Sequence, residues 1–271
     1  PFAQDRRCQA VKFEVINGSF GYGSAAILHD VSFSLEGNQV LAVLGPNGVG
    51  KTTLLKCMMG LLKWNRGETR IDGLAMDTMS HSRIWKRIAY VPQSKGISLS
   101  YTALEMVLMG RSARLGLFAQ PSREDMAIAE KAMEEVGITF LKDKQCSRMS
   151  GGELQMVLIA RALCTQPEML ILDEPESNLD FKNQLVILDI VKQLSRERGI
   201  AAIINTHYPA HALKIADRAL ILNRDGSSFY GEAGATITEE NMKKAFSVEV
   251  KIADYCYENI HYHNVIPIRA C

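Results

Sequence analysis

Segment 45–52 places glycines, a lysine and a threonine at the spacing of a phosphate-binding loop. The segment reads Gly-Pro-Asn-Gly-Val-Gly-Lys-Thr and matches every fixed position of G-x-x-x-x-G-K-[ST]. Its glycines would let backbone amides converge on phosphate oxygens, with the dipole of the following helix aiding them. Lys51 would add a charge for the β- and γ-phosphates, and the Thr52 hydroxyl a ligand for Mg²⁺. The loop predicts a nucleoside triphosphate site; its candidate residues are Gly45, Pro46, Asn47, Gly48, Gly50, Lys51, Thr52 and Thr53.

Two carboxylates, Asp173 and Glu174, directly follow the apolar run 169–172. At the carboxyl edge of a sheet, such a pair can lie beside a phosphate-bound Mg²⁺. Asp173 would hold the metal, directly or through water. Glu174 would accept a proton from the water that attacks the γ-phosphate, or polarise that water. An ordinary polar turn gives the same pair, but the phosphate loop upstream favours a catalytic interpretation.

A second helix start with glycines lies at Ser150-Gly151-Gly152-Glu153. Ser150 and Glu153 fit a capping box for the helical run 154–163. Two glycines in a first turn cost about 1 kcal/mol each, which a cap alone does not require. We therefore expect Gly151 and Gly152 to present bare amides to a phosphate, with a merely well-capped helix as the alternative.

Two polar residues end other predicted strands. Gln93 follows the run 88–91, and His207 follows the run 201–205. The carboxyl ends of parallel strands meet at one edge of a sheet, so both side chains are candidates for the same site. A capping role at a strand end is the alternative for each.

Length and composition suit one sizeable α/β domain with an inserted or appended subdomain: 271 residues, 47% hydrophobic. The 31 basic and 30 acidic residues are spread along the chain, so nothing indicates nucleic acid or an anionic lipid surface. No apolar run approaches the roughly 20 residues that span a bilayer, and no signal peptide is recognisable. We expect a cytoplasmic protein with free thiols. The cysteines are Cys8, Cys57, Cys146, Cys164, Cys256 and Cys271.

Strand-like runs alternate with helical ones, which predicts a mainly parallel sheet covered by helices. In the early part of the chain, glycines separate short strand-like runs. This pattern predicts antiparallel strands and a hairpin turn at Ile71-Asp72-Gly73. The tail, 247–271, predicts a small β element. The predicted strands are 11–16, 40–44, 88–91, 169–172, 201–205 and 218–222.

From about residue 101 to residue 163 the strand signals disappear. Helical spacing predicts helices at 103–111 and 123–136. Ser122 is the expected N-cap of the second helix and Gly137 its terminator. These helices, with the run 154–163, predict a helical subdomain inserted in the α/β core.

The order of these motifs resembles the ATP-binding cassette (ABC) ATPases over nearly the whole chain. The chain departs at Met149, where Leu usually opens the signature, at Glu153, where Gln often follows it, and at Glu176, where Thr is usual. None of these departures removes a reacting group. In family order the matches are the adenine-stacking Tyr22, the Walker A loop 45–52, the Q-loop Gln93, the signature Ser150-Gly151-Gly152, the Walker B Asp173 with the catalytic Glu174, the D-loop 177–180 ending in Asp180, and the switch histidine His207.

The resemblance implies an α/β P-loop NTPase of ABC type, with a mainly parallel core, an antiparallel β subdomain and an inserted helical subdomain. It implies one ABC ATPase domain over 1–271 that binds ATP and Mg²⁺. The implied parts are a core at 11–94 and 165–246, a helical signature subdomain at 95–164 and a tail at 247–271. Thr52, Gln93 and Asp173 are the implied metal ligands, and Glu174, His207 and Gln93 the catalytic residues.

The resemblance also implies a head-to-tail dimer of two copies. Each ATP would lie between the Walker A loop of one copy and the signature helix of the other, in reach of Tyr22 and Asp180. The implied partners are separate transmembrane permease subunits and, indirectly, a substrate-binding protein, with no nucleic acid. The implied location is peripheral, on the cytoplasmic face of the cell membrane.

Within the family, segments 104–111, 122–125, 248–250 and 265–267 resemble importers of iron(III) siderophores, haem, cobalamin and related metal chelates. The alternatives are molybdate or tungstate import, export, and a soluble ABC ATPase of cluster assembly. The resemblance also places a docking groove for a membrane subunit in the helical subdomain. The methionines in that subdomain are mostly expected in its core: Met106, Met109, Met126 and Met133.

The tail carries four residues of types that bind zinc, within a short span. If this segment is a strand, His261 and His263 point to the same face. Free cysteines and surface histidines are the ordinary alternative. A metal site in the tail is therefore a hypothesis, with the candidate ligands Cys256, His261, His263 and Cys271.

Overall fold

A six-stranded sheet forms the centre of the molecule. The computed structural model describes residues 11–23, 25–94, 100–114 and 120–271. The strand order is β10-β9-β3-β8-β7-β6, and all pairings are parallel except β10 with β9. The predicted parallel core is confirmed. The strands are β3 Val40–Leu44, β6 Ile88–Val91, β7 Met169–Asp173, β8 Ala201–Asn205, β9 Arg218–Leu222 and β10 Ser228–Glu232.

The early section folds into a separate antiparallel sheet, as predicted. Its order is β2-β1-β4-β5, formed by Lys12–Tyr22 (β1), Ala25–Glu36 (β2), Arg66–Ile71 (β4) and Leu74–Ala75 (β5). Asp72 and Gly73 both have positive φ, 51° and 78°, which is the conformation of a tight hairpin turn. Strand β1 is longer than the predicted 11–16, because the pairing with β2 continues through bulges to Tyr22.

Helices cover both faces of the central sheet. The side chains of β3 alternate between two hydrophobic clusters: Val40, Ala42 and Leu44 belong to one, Leu41 and Val43 to the other. No helix in the described part of the chain has the length and apolar character that crossing a membrane requires. The helices are α1 Lys51–Met58, α2 His81–Trp85, α3 Ala103–Leu108, α4 Arg123–Val136, α5 Gly151–Cys164, α6 Phe181–Arg198, α7 Pro209–Ile215, α8 Ala233–Thr236 and α9 Glu239–Phe246.

Helices α3, α4 and α5 pack together as the predicted helical section. Helix α4 has the predicted bounds, with Ser122 as its N-cap and Gly137 at φ 75° after its last turn. The prediction for 103–111 was too long: α3 ends at Leu108 and a 3₁₀ turn, Met109–Ala113, follows. Gly110 lies so close to α5 that a Cβ there would stand 2.1 Å from the Arg161 carbonyl oxygen. This close approach explains the glycine at 110 within the turn.

The tail forms an antiparallel hairpin of β11, Val248–Tyr257, and β12, Ile260–Ala270. Cys256 pairs with His261 near the turn, whereas the Cys271 backbone N–H donates to the Ser247 carbonyl oxygen at the other end. The four candidate metal ligands are therefore not gathered. No group of three or more histidine, cysteine or acidic residues in the described ranges could hold a metal ion. The hypothesis of a metal site in the tail was wrong.

Candidate nucleotide-binding site

The loop between β3 and α1 owes its shape to glycine. Gly45, Gly48 and Gly50 have φ values of 151°, 79° and 108°, which other residues rarely adopt. A Cβ on Gly50 would stand 2.5 Å from Ile27, and one on Gly45 would stand 3.0 Å from the Leu222 carbonyl oxygen. Glycine at 45 and 50 is therefore required by the fold as well as by the backbone conformation.

Lys51 is folded back over this loop and only 5% exposed. Its Nζ donates hydrogen bonds to the carbonyl oxygens of Gly45 at 2.7 Å and Pro46 at 3.2 Å, and lies 3.3 Å from His207 Nδ1. Burial lowers the pKa of Lys51, while the carboxylates of Glu174 and Asp173 act in the opposite direction. A cation thus lies at the mouth of the loop, close to two carboxylates.

His207 links this lysine to Glu174. An ammonium group can only donate, so His207 Nδ1 is the acceptor in the contact with Lys51. The proton of the neutral ring is then on Nε2, which donates to Glu174 Oε1. The contacts therefore define one tautomer of His207, and they orient the Glu174 carboxylate through the ring.

The backbone of Glu174 is in the left-handed region, with φ 49°. Its N–H donates to the Asn205 carbonyl oxygen at 2.9 Å, and its Oε2 accepts from the Ser177 hydroxyl at 3.2 Å. A non-glycine residue in this conformation is strained, and such strain often accompanies a functional site. The neighbouring strands thus hold Glu174 in a conformation that it would rarely adopt alone.

Asp173 ends β7 with both carboxylate oxygens in hydrogen bonds. Oδ1 accepts from Asn205 Nδ2 at 2.6 Å, and Oδ2 accepts from the Tyr90 hydroxyl at 3.0 Å. Burial, and then the Asp173 charge, raise the pKa of Tyr90, so its hydroxyl keeps its proton and donates. Lone pairs remain on both Asp173 oxygens. Together with the exposed Thr52 hydroxyl, they are the hard oxygen donors that Mg²⁺ prefers, so these residues fit that ion.

The loop, Glu174 and His207 surround a cleft of about 210 Å³. Eight predicted residues are thereby brought together. Its lining consists of Asn47, Gly48, Gly50, Lys51, Thr52, Thr53, Glu174 and His207. The other predicted site residues are not part of this lining: Tyr22, Gly45, Pro46, Gln93, Ser150, Gly151, Gly152, Asp173 and Asp180.

The helix start at Ser150 has the predicted capping box. The Ser150 side chain accepts from the Glu153 N–H at 3.2 Å, and Glu153 Oε2 accepts from the Ser150 N–H at 2.8 Å. Gly152 is buried, and a Cβ there would stand 2.6 Å from the Asn183 side chain on α6. Close packing against Asn183 therefore gives the glycine at 152 a role inside the chain as well, which the helix-propensity argument overlooked. Ser150 and Gly151 are exposed.

Asp180 and Gln93 lie outside the lining of the cleft, at the start of α6 and after the end of β6. Asp180 is the N-cap of α6, where its carboxylate accepts from the Asn183 N–H at 2.8 Å and the Asn183 side-chain amide at 2.9 Å. Gln93 is half-buried after β6. Tyr22 is 54% exposed and lies edge-on to Phe20, with ring centroids 5.0 Å apart. The described contacts within one chain bring none of these three to the cleft.

Four residues near the cleft were not predicted to contribute: Tyr90, Asn205, Glu176 and Thr206. Tyr90 and Asn205 hold Asp173, and the buried Thr206 hydroxyl donates to the buried Glu176 carboxylate. Polar residues at buried strand ends were the available signal, since Tyr90 and Asn205 lie in strands that were predicted correctly. The strand pattern alone could not say which of them face one another.

Comparison with known proteins shows the family of this chain. The profile of the ABC transporter family matches residues 28–177. A "Probable iron chelatin transport ATP-binding protein" of Helicobacter pylori is 38% identical over 218 residues, which cover 77% of this chain and 85% of that protein. The molybdate import ATP-binding protein MolC of Haemophilus influenzae is 30% identical over 242 residues, covering 89% and 90%.

The fold is likewise similar to a solved structure of an ABC transporter assigned to the metal-chelate type, in an inward-facing conformation. The TM-score is 0.86 with 29% identity, and the match covers 96% of this chain and 98% of the other. The phosphate-binding loop, Asp173 and Glu174 lie within the range 28–177 that the family profile matches. The chain belongs to the ABC transporter family, as an ATP-binding protein whose ATPase activity is coupled to transport.

Proposed function

We propose that this chain is the ATP-hydrolysing subunit of an importer for an iron siderophore, haem, cobalamin or a related metal chelate. The observation that carries the proposal is the likeness, over nearly the full length, to a transporter of metal-chelate type. The iron chelatin relative supports the same cargo class. The contacts of Lys51, His207 and Glu174 in one cleft support hydrolysis as the energy-providing step.

In the proposed reaction each group acts from its described position. Lys51 would exchange its contacts with the Gly45 and Pro46 carbonyl oxygens for phosphate oxygens of ATP. Glu174 would accept a proton from the attacking water, and His207 would keep that carboxylate oriented through its Nε2–H. Thr52, Gln93 and Asp173 would hold Mg²⁺. When bound, the ion would neutralise phosphate charge.

We further propose that two copies pair head to tail, so that Ser150 and Gly151 of one copy complete the nucleotide site of the other. Exposed groups near the helix start support this pairing. Phe181 follows Asp180 directly and is 87% exposed, which is unusual for a large apolar side chain. Leu179 lies beside Gly151, 3.2 Å from where a Cβ would stand. Tyr22 would stack on the adenine ring.

Mixing two inactive variants tests this pairing. We expect Lys51→Ala and Ser150→Ala to be inactive alone, because both copies of a dimer then carry the substitution and both nucleotide sites are damaged. A mixed dimer has one site with both halves intact, so an equimolar mixture should recover about a quarter of the wild-type rate if the sites act independently. The measurement is steady-state phosphate release after exchange of subunits.

The matched control mixes Lys51→Ala with Glu174→Gln, which both alter the same half of the site. That mixture should recover nothing, because every site in its mixed dimer is damaged. Absence of recovery with Ser150→Ala, although mass spectrometry detects mixed dimers, would contradict independent sites shared between the copies.

We propose separate transmembrane permease subunits as the membrane partner, with an external substrate-binding protein acting through them. This places the chain peripherally on the cytoplasmic face of the cell membrane, without a role for nucleic acid. We place the docked permease helix in a groove of about 360 Å³ between β6 and the helical section. Met109 and Arg161 line it, and Met109 is 37% exposed, while Met106 and Met133 are buried in the core.

The domain organisation that we propose follows from this assignment. One ABC ATPase domain has its core at 11–94 and 165–246. The helical signature subdomain occupies 95–164, and the tail occupies 247–271. The described elements support it, since the helices α3 to α5 interrupt the strands of the central sheet between β6 and β7.

The cargo is tested by reconstituting the chain with its permease and a loaded binding protein. We expect a ferric siderophore, haem or cobalamin to stimulate ATP hydrolysis several-fold over the empty binding protein. Stimulation by molybdate instead would favour the second candidate, which the molybdate import relative supports. ATPase activity without any membrane partner in a pull-down would favour the soluble cluster-assembly alternative.

A further inference from the structure

A second carboxylate lies behind the cleft, in the turn that carries Glu174. Glu176 is fully buried, and its Oε1 accepts a hydrogen bond from the Thr206 hydroxyl. His211 Nδ1 lies 3.7 Å from the same oxygen, which is too far for a hydrogen bond, and Oε2 has no partner among the described residues. A buried carboxylate with so few partners destabilises a fold. Its presence therefore calls for a functional reason.

Thr206 is also fully buried, and it directly precedes His207. Its Oγ1 accepts from the Tyr208 N–H at 3.0 Å, and its own N–H donates to the Val43 carbonyl oxygen at 3.1 Å. The single hydroxyl proton is therefore free to go to Glu176 while the oxygen binds Tyr208. The Thr206 hydroxyl therefore binds the backbone of Tyr208, the residue after His207, and also binds the Glu176 carboxylate.

This anchor joins the two segments that must meet for hydrolysis. Glu174 and Glu176 belong to the turn after β7, and Thr206 and His207 to the turn after β8. A one-ångström displacement of a catalytic group can lower a rate about 100-fold. The hydrogen bond from Thr206 to Glu176 joins these two turns one residue away from His207, whose Nε2 contacts Glu174 Oε1.

We infer that Glu176 is a positioning residue for ATP hydrolysis, which acts through Thr206 to hold His207 against Glu174. This inference rests on the proposed roles of Glu174 and His207. Glu176 is not part of the lining of the cleft, so we expect it to make no contact with ATP. Its loss should therefore lower kcat and leave ATP affinity unchanged.

Two pairs of variants test the inference in the full chain. Glu176→Ala removes the acceptor, whereas Glu176→Gln keeps an amide oxygen in its place. Thr206→Val removes the hydroxyl at nearly constant shape, whereas Thr206→Ser keeps it. We expect kcat to fall about 10- to 100-fold in Glu176→Ala and Thr206→Val. The Gln and Ser variants should retain kcat within about threefold, and all four should keep the Kd for ATP within about twofold.

A stability control separates positioning from general damage. Asp125 is another buried carboxylate, bound to Arg111 at 2.7 Å in the helical section, away from the cleft lining. Asp125→Asn should lower the thermal midpoint, because it removes the charge that faces the buried Arg111, but it should keep kcat near the wild-type value. Equal loss of kcat in Asp125→Asn and Glu176→Ala would overturn the inference.

The pairs of variants decide the remaining outcomes. Wild-type kcat in Thr206→Val, or a Gln variant as slow as folded Glu176→Ala, would overturn the positioning role. If Glu176→Ala does not fold, the Thr206→Val and Thr206→Ser pair carries the test. His207→Ala is the separate arm: normal hydrolysis by that variant would overturn the proposed reaction itself, whereas slow His207→Ala with fast Thr206→Val rejects the positioning role alone.

Discussion

Replacing Glu174 by glutamine should lower ATP turnover about 1000-fold and leave ATP bound, because a general base contributes about 10² to 10⁴ to a rate. The amide keeps the size of the side chain and an oxygen acceptor for His207 Nε2 or Ser177. It lacks the negative charge and basicity that proton transfer requires. The measurement is single-turnover hydrolysis, with equilibrium ATP binding determined on the same preparation.

ATP that is bound but not hydrolysed should also hold the two copies together. We therefore expect Glu174→Gln with ATP to elute as a stable dimer in size-exclusion chromatography, whereas the wild type should return to its nucleotide-free state after hydrolysis. The matched control is Glu240→Gln, which changes an exposed carboxylate on α9 and should alter neither quantity. Near-normal turnover in Glu174→Gln would remove this carboxylate from its proposed role.

The local features of this chain could be predicted because they depend on neighbouring residues. The glycines of the loop 45–52 specify its backbone conformation, and Ser122 with Gly137 specifies both ends of α4. Each of these signals lies within a few residues of the element that it controls. The periodicity of the buried strands is local in the same sense, which is why the five parallel strands of the central sheet were predicted almost residue by residue, whereas the antiparallel edge strand β10 was not predicted.

The supporting contacts of the site could not be predicted, because each joins distant segments. Tyr90 and Asp173 are 83 positions apart, Asn205 and Asp173 are 32 apart, and Thr206 and Glu176 are 30 apart. Their meeting depends on strand order, with β7 between β6 and β8. A sequence pattern identifies strands without fixing which of them are neighbours.

Gly152 illustrates the same limit for a residue that was singled out correctly. Its position in a first helical turn suggested exposed amides, but its missing side chain makes room for Asn183 on α6. The interhelical contact was invisible in the sequence. The proposed phosphate contact in a dimer therefore depends more on Ser150 and Gly151, which are exposed, than on Gly152.

Replacing Lys51 by alanine should weaken ATP binding about 100-fold, which corresponds to about 2.7 kcal/mol of binding free energy. Lys51 is the cationic side chain in the lining of the cleft, and it is held there by the carbonyl oxygens of Gly45 and Pro46. Without it, two carboxylates, Asp173 and Glu174, would face the phosphates with less opposing charge. The measurement is direct titration with a non-hydrolysable ATP analogue.

The same substitution should separate binding from folding. A ligand that binds only the folded state stabilises it by RT ln(1 + [L]/Kd), so the same concentration of ATP with Mg²⁺ should raise the thermal midpoint of the wild type much more than that of Lys51→Ala. Lys56→Ala is the matched control, since Lys56 is exposed on the same helix and lies outside the cleft lining. It should keep the full thermal shift. Equal affinity of Lys51→Ala and wild type would mean that the loop amides alone hold the phosphates, and that the buried ammonium serves only to join the loop to His207.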